Sequence, residues 1–160
     1  MFAPDFGTME NKLTEKQKEL IERFGVVQEG MGLSPAAARV NALLTVADKV
    51  ELTFDEIREA LQLSKSATSN ALNSLLLLKR IGYKTKPGDR KRYFYSKLGQ
   101  WQNSFVESME GLTEYNSIVK DILTHRDKET KEFNNQLKDF TDFLDYYQEE
   151  SIKLIKNWKK

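Results

Sequence analysis

Thr53-Phe54-Asp55-Glu56, Leu63-Ser64-Lys65-Ser66-Ala67-Thr68-Ser69-Asn70-Ala71-Leu72 and Tyr83-Lys84-Thr85-Lys86-Pro87-Gly88-Asp89-Arg90-Lys91-Arg92-Tyr93-Phe94-Tyr95 follow one another within residues 52–95. The first is a capping box: the Thr53 hydroxyl accepts from the Glu56 amide while the Glu56 carboxylate reaches back to the Thr53 amide. Phe54, Ile57, Ala60 and Leu61 give the helix that starts there one apolar face, and it stops near Gln62-Leu63. Ser64 caps a second helix, whose stripe of Ala67, Ala71, Leu75 and Leu78, widened by Leu72 and Leu76, faces a core. Its other face carries Lys65, Ser66, Ser69, Asn70 and Asn73. Ile81-Gly82 ends it, with Gly82 as the expected left-handed cap. Two strand-like runs around the Pro87-Gly88-Asp89 turn then form a hairpin, and Val50-Glu51-Leu52 offers a short third strand. This order, helix-turn-helix then hairpin, describes a winged helix.

Charge singles out the same segment. The whole chain has 25 basic and 24 acidic residues, a net of +1, which by itself points to no partner. Residues 1–63 hold 7 basic and 11 acidic residues, and residues 98–160 hold 9 and 12. Residues 64–97 hold nine basic residues against Asp89 alone, a net of +8. A basic hairpin beside a helix-turn-helix is where a docking element and a phosphate-binding surface coincide, so the segment is expected to bind duplex DNA. The expected DNA-contacting residues are Ser64, Lys65, Ser66, Thr68, Ser69, Asn70 and Asn73 on the recognition helix, and Lys84, Lys86, Arg90, Lys91 and Arg92 on the wing.

The flanking sequence frames this module. Residues 1–10 read as a tail, 11–97 as the winged helix-turn-helix domain with an N-terminal helix, and 98–160 as a helical dimerisation region. From Asn11 to Glu29 the apolar residues Leu13, Leu20, Phe24 and Val27 lie along one side of a helix that Gly30-Met31-Gly32 breaks. Ser34-Pro35 opens the next, through about Asp48, with Ala36, Val40, Leu43, Leu44 and Ala47 inward. On it Arg39 is either an ion-pair partner for the acidic N-terminal helix or a phosphate contact, the first being the commoner role.

Beyond Lys97 the chain is helical to the end. Trp101, Phe105, Met109, Leu112, Tyr115, Ile118, Val119 and Ile122 recur at threes and fours. From Asp127 the pattern tightens: Phe133, Leu137, Phe140, Leu144, Tyr147, Leu154 and Trp158 keep alternating steps of four and three, interrupted only at Ser151. Phe143, Tyr146, Ile152 and Ile155 broaden the stripe. Two such helices leave an apolar side uncovered, so this seam is expected to join a homodimer.

Gly30-Met31-Gly32-Leu33-Ser34-Pro35-Ala36-Ala37-Ala38-Arg39-Val40, the helix capped by Thr53, the Leu63–Leu72 stretch and Gly88–Tyr95, in this order and spacing over about Lys12 to Lys97, resemble the MarR-type winged-helix regulators, and within them the GbsR branch. The resemblance implies a homodimeric transcriptional regulator, a repressor by the commoner pattern, with a recognition helix in the major groove. It also implies a wing arginine in the minor groove, Arg90 first and Arg92 second. Many relatives carry arginine where Asn73 stands; an amide there suits adenine. Some respond to choline-like cations, held by aromatic cages. Trp101, Tyr115, Tyr146, Tyr147 and Trp158 are the aromatics available for one, although such spacing usually marks core.

Several classes are excluded or disfavoured. The start of the chain lacks the pattern of a secretory signal, and the longest apolar run, Leu75–Leu78, is far too short to span a membrane, so a cytoplasmic protein is expected. With no cysteine there is no thiolate metal site or thiol switch. His125, the single histidine, has no companion ligand and reads as a surface or capping residue. No phosphate loop, nucleophile with base, or cofactor motif is present, so no enzyme and no cofactor are expected. The competing class is a winged helix that binds protein rather than DNA.

Overall fold

The structure, a computed structural model, describes residues 13–158; the expected tail over residues 1–10 lies outside them. Two compact units result, one ending at Gly99 and one starting at Gln100. The first contains α1 (Glu15–Gly30), α2 (Pro35–Val46), β1 (Leu52–Thr53), α3 (Phe54–Ala60), α4 (Lys65–Leu77), β2 (Ile81–Thr85) and β3 (Arg92–Ser96). The strands form an antiparallel sheet in the order β1-β3-β2, with Phe94 opposite Leu52 on one side and Tyr83 on the other. This is a winged helix-turn-helix, mainly helical with a small β-wing.

Local chemistry sets the helix boundaries. The Thr53 amide donates to Glu56 Oε2 at 2.7 Å and the Glu56 amide donates to Thr53 Oγ1 at 3.3 Å, so the capping box starts α3. An equivalent box, Thr14 with Gln17, starts α1. Ser34 and Ser64 cap α2 and α4. At the other ends, α1, α3 and α4 all close with the same pair of reversed bonds, and the residue in the left-handed conformation is Gly32, Gln62 and Lys79 respectively.

That last position corrects the expectation for Gly82. Helix α4 stops at Leu77, the left-handed residue is Lys79, and Gly82 already belongs to β2. Its lack of a side chain serves packing instead: a Cβ at Gly82 would come within 2.7 Å of the Tyr95 ring. Leu78 caps the helix and is exposed, not part of the stripe.

The core of this unit is built around α2. Val40, Leu43 and Leu44 pack with Ile57 of α3, Ala71, Leu72 and Leu75 of α4, Ile81 of β2 and Phe94 of β3. Ala36 and Ala47, expected inside, are only partly buried. Helix α1 meets α2 through Ile21, Gly25 and Gln28 rather than through its most apolar side. The reason is polar: Asn41 donates to Gln28 Oε1 at 2.6 Å, and Arg39 lies across Gly25 to pair with Glu22 and Glu29. Leu20, Phe24 and Val27 are left exposed.

After a 3-10 turn at Leu98–Gln100, the second unit is an antiparallel hairpin of α5 (Trp101–His125) and α6 (Lys131–Asn157). The residues of α6 buried in it are Thr141, Leu144, Gln148 and Ser151, at steps of three and four. Three of these four are polar. Gln148 donates to Thr113 Oγ1 at 3.0 Å, and Asn116 of α5 donates to Thr141 O at 3.2 Å and to Asp145 Oδ1 at 2.8 Å. The expected seam therefore does not act as one unit. Leu144 and Ser151 are taken by α5 and Leu137 is half-buried, while Phe133, Phe140, Tyr147, Leu154 and Trp158 stand exposed on the hairpin. No described helix is long and apolar enough to cross a membrane.

Candidate nucleic-acid interface

Helix α4 enters its role through Ser64, whose hydroxyl accepts from the Ala67 amide at 3.1 Å and meets the Ser66 hydroxyl at 3.1 Å. The turn before it places Lys65, Ser66, Ser69, Asn70 and Asn73 on the exposed face. Thr68, grouped with them from the sequence, does not join them. It is fully buried, and its hydroxyl donates to Ser64 O at 2.9 Å. Its spacing of three, four and seven to Ala71, Leu72 and Leu75, the other buried residues of α4, is the signal that it belongs inside.

The wing is set by a type II turn. Asp89 donates its amide to Lys86 O at 3.0 Å, with Pro87 at the second position and Gly88 at φ +77°, which only glycine adopts readily. The Asp89 carboxylate then orders the start of β3, accepting from the Lys91 amide at 2.9 Å and from the Tyr93 hydroxyl at 2.6 Å. The bond from Tyr93 first, and that from Lys91 second, hold the Asp89 carboxyl below its ordinary range, and the Tyr93 phenol is pushed above its own. The Lys86 ammonium lies 3.9 Å from the centre of the Tyr93 ring, and the Arg92 guanidinium 4.6 Å from that of Tyr83. Arg90 and Lys91, between the turn and β3, and Arg92, the first residue of β3, are exposed.

These two elements share a cleft. Ser69, Leu72, Asn73 and Leu76 of α4, Thr53, Phe54 and Asp55 at the start of α3, and Arg90, Lys91, Arg92 and Phe94 of the wing surround a volume of about 320 Å³. Hydroxyl and amide side chains lie on one wall and cations on the other, the pairing needed to read a base edge and grip a phosphate together. Lys65, Ser66 and Asn70 are exposed on α4 but do not line it.

Lys84 and Lys86, also exposed on the wing, share a partner. Both are bound by Glu51, Lys84 at Oε2 and Lys86 at Oε1, the latter at 2.5 Å. Bonds from Lys84 first and Lys86 second keep the Glu51 carboxyl below its ordinary range. Sequence spacing carries no sign of this role for Glu51, because only strand pairing brings it to the wing.

On the helical hairpin, three of the five aromatics considered for a cation cage, Trp101, Tyr147 and Trp158, line a largely apolar cavity of about 310 Å³ with Phe105, Ser151, Leu154 and Ile155. Tyr115 instead packs edge-on against Phe140, and Tyr146 is exposed. His125 Nδ1 lies 2.8 Å from Asp121 O at the end of α5, an end-of-helix position.

No family model matches the chain, and no curated protein does either. Among solved structures, the chain is similar to a crystal structure of a transcriptional regulator, with 21% identity over 88% of this chain and 95% of that one and a TM-score of 0.74. Lower similarity extends to the S. aureus MepR–DNA complex, at 20% identity over 82% and 92% with a TM-score of 0.38. It extends also to the regulator Tm0710 of Thermotoga maritima, at 15% identity over 82% and 91% with a TM-score of 0.42. The fold of this chain, over nearly its whole length, is thus one that a transcriptional regulator also adopts.

Proposed function

We propose that the protein is a MarR-type regulator of the GbsR kind, a homodimer that binds a specific DNA operator and acts as a repressor rather than an enzyme. The observation that carries this reading is the cleft in which Ser69 and Asn73 of α4 face Arg90, Lys91 and Arg92 of the wing. Helix α4 would lie in the major groove and the wing would follow the adjoining backbone, with Arg90 entering the minor groove. The solved regulator that shares the fold supports this assignment.

Dimerisation is supported by the apolar surface of the hairpin. Phe133, Phe140, Phe143, Tyr146, Leu154 and Trp158 on α6 and Tyr115, Ile118 and Ile122 on α5 are exposed in a single copy. A monomer rarely leaves so many large apolar side chains to water, and a second copy with the same face covers them symmetrically. If the GbsR likeness extends to ligands, the cavity between Trp101, Tyr147 and Trp158 is where a choline-like cation would be held. Calorimetric titration of the dimer with choline and betaine tests that point.

The experiment for the main reading is selection of duplexes from a random library, followed by anisotropy titration of the recovered sequence and native mass measurement. Specific binding by a species of twice the chain mass is the expected result. No retention on any duplex at moderate salt favours the protein-binding winged helix instead.

A further inference from the structure

We infer that Glu51 is a specificity-determining residue of this DNA reader: it holds Lys84 and Lys86 away from phosphate and so suppresses sequence-independent binding. The inference rests on the DNA-binding reading above. Across the sheet, Thr53, Tyr93 and Lys84 are register partners. Glu51 stands two residues before Thr53, just ahead of β1, and Lys86 two after Lys84, just past β2, and there the carboxylate meets both lysines. Each oxygen of the Glu51 carboxylate takes one lysine. The Glu51 side chain is only 14% exposed, whereas Lys84 and Lys86 keep 56% and 47% exposure. The carboxylate is covered by the ammonium groups, which still face solvent.

An arrangement of this kind contributes little to stability, because ion pairs with exposed partners are weak. Its consequence for DNA is larger. The Glu51 carboxylate offsets one of the two positive charges and takes one donor from each ammonium, so a phosphate approaching Lys84 or Lys86 meets a weaker attraction than two unpaired lysines would give. Among the described residues Arg90 and Lys65 enter no ion pair and are open to phosphate. Ser69 and Asn73, which would face bases, are unaffected. Removing part of the phosphate affinity while leaving base contacts intact widens the ratio of specific to non-specific binding, the quantity a regulator needs among many competing sites.

The test uses the full chain and two duplexes, one selected by the native protein from a random library and one of random sequence, titrated by fluorescence anisotropy over a range of salt. Glu51→Gln should tighten the random duplex about tenfold and steepen its log affinity against log salt by about one to two per protomer. The selected duplex should gain less, so discrimination falls. Lys84→Ala with Lys86→Ala, at exposed positions that do not threaten folding, should weaken the random duplex several-fold less with Glu51 present than in the Glu51→Gln background, where it should abolish the gain. Duplex binding that Glu51→Gln leaves unchanged, or a loss from the lysine pair as large with Glu51 present as in the Glu51→Gln background, overturns the role of Glu51 while leaving the DNA reading intact. No duplex binding by either the native protein or Glu51→Gln overturns both.

Discussion

Single residues carry more of this fold than their size suggests. Gln62 closes α3 in the left-handed conformation, at φ +52°, where a side chain is strained and glycine is not. Gln62→Gly should therefore stabilise the protein by about 0.5 to 1 kcal/mol after the entropy of the unfolded chain is counted, read as a shift in the urea midpoint. Thr53→Ala should cost about 1 to 2 kcal/mol through loss of the cap. The Glu56 carboxyl in the same box is raised by burial, but hydrogen bonds from Lys49 and Thr53 outweigh this and leave it below its ordinary value. A carboxyl depressed in the folded state stabilises above its unfolded value and loses that contribution as pH falls through the folded one. The penalty of Glu56→Gln should accordingly shrink in acid, and an unchanged penalty from neutral pH to about pH 3 in urea titrations would show that its charge is irrelevant. The Thr53 capping box is legible in the sequence because it depends on residues three apart. Thr68 is legible only in its spacing to Ala71, Leu72 and Leu75, because a small polar side chain suits a surface as well as a core, and a bond to the i−4 carbonyl satisfies its buried hydroxyl.

Among the elements, α4 and the wing divide the work of the cleft. Arg90→Ala or Arg92→Ala should weaken all duplexes alike and flatten the salt dependence by about one for each phosphate no longer neutralised. Ser69→Ala or Asn73→Ala should instead relax preference at about one or two base pairs, as measured by repeating the duplex selection. Equal behaviour of the two classes would contradict the division. Helix α6 shows how two readings of one helix coexist. Its apolar heptad line is plain in the sequence, yet the line buried against α5, Thr141, Leu144, Gln148 and Ser151, shares only Leu144 and the Ser151 position with it. Buried amides there fix one register, since a slip would leave Asn116 and Gln148 without partners. The interruption at Ser151 marks the face turned to α5, and periodicity alone has no means of telling a neighbour within the chain from one outside it.

For the whole molecule, the exposed hairpin aromatics predict an assembly and a consequence for affinity. Phe143→Glu with Tyr146→Glu, both at exposed positions, should halve the native mass while preserving helicity, and should lower affinity for a two-fold operator about 100-fold or more by removing the second half-site interaction. A monomer that binds as tightly as the native protein would remove the dimer from the mechanism. The order of elements, the serine and threonine caps that start α2, α3 and α4, the wing turn and the concentration of positive charge in residues 64–97 are written in the chain itself, because each depends on neighbours a few positions apart. Folding in three dimensions was needed to bring Glu51 to Lys84 and Lys86, to set Gly82 against Tyr95, to turn Ile21, Gly25 and Gln28 of α1 inward, and to divide the surface of α6 between α5 and solvent. Those outcomes arise from strand register and helix packing, which join residues far apart in the chain, and no local pattern fixes which of two adjacent faces will find a partner.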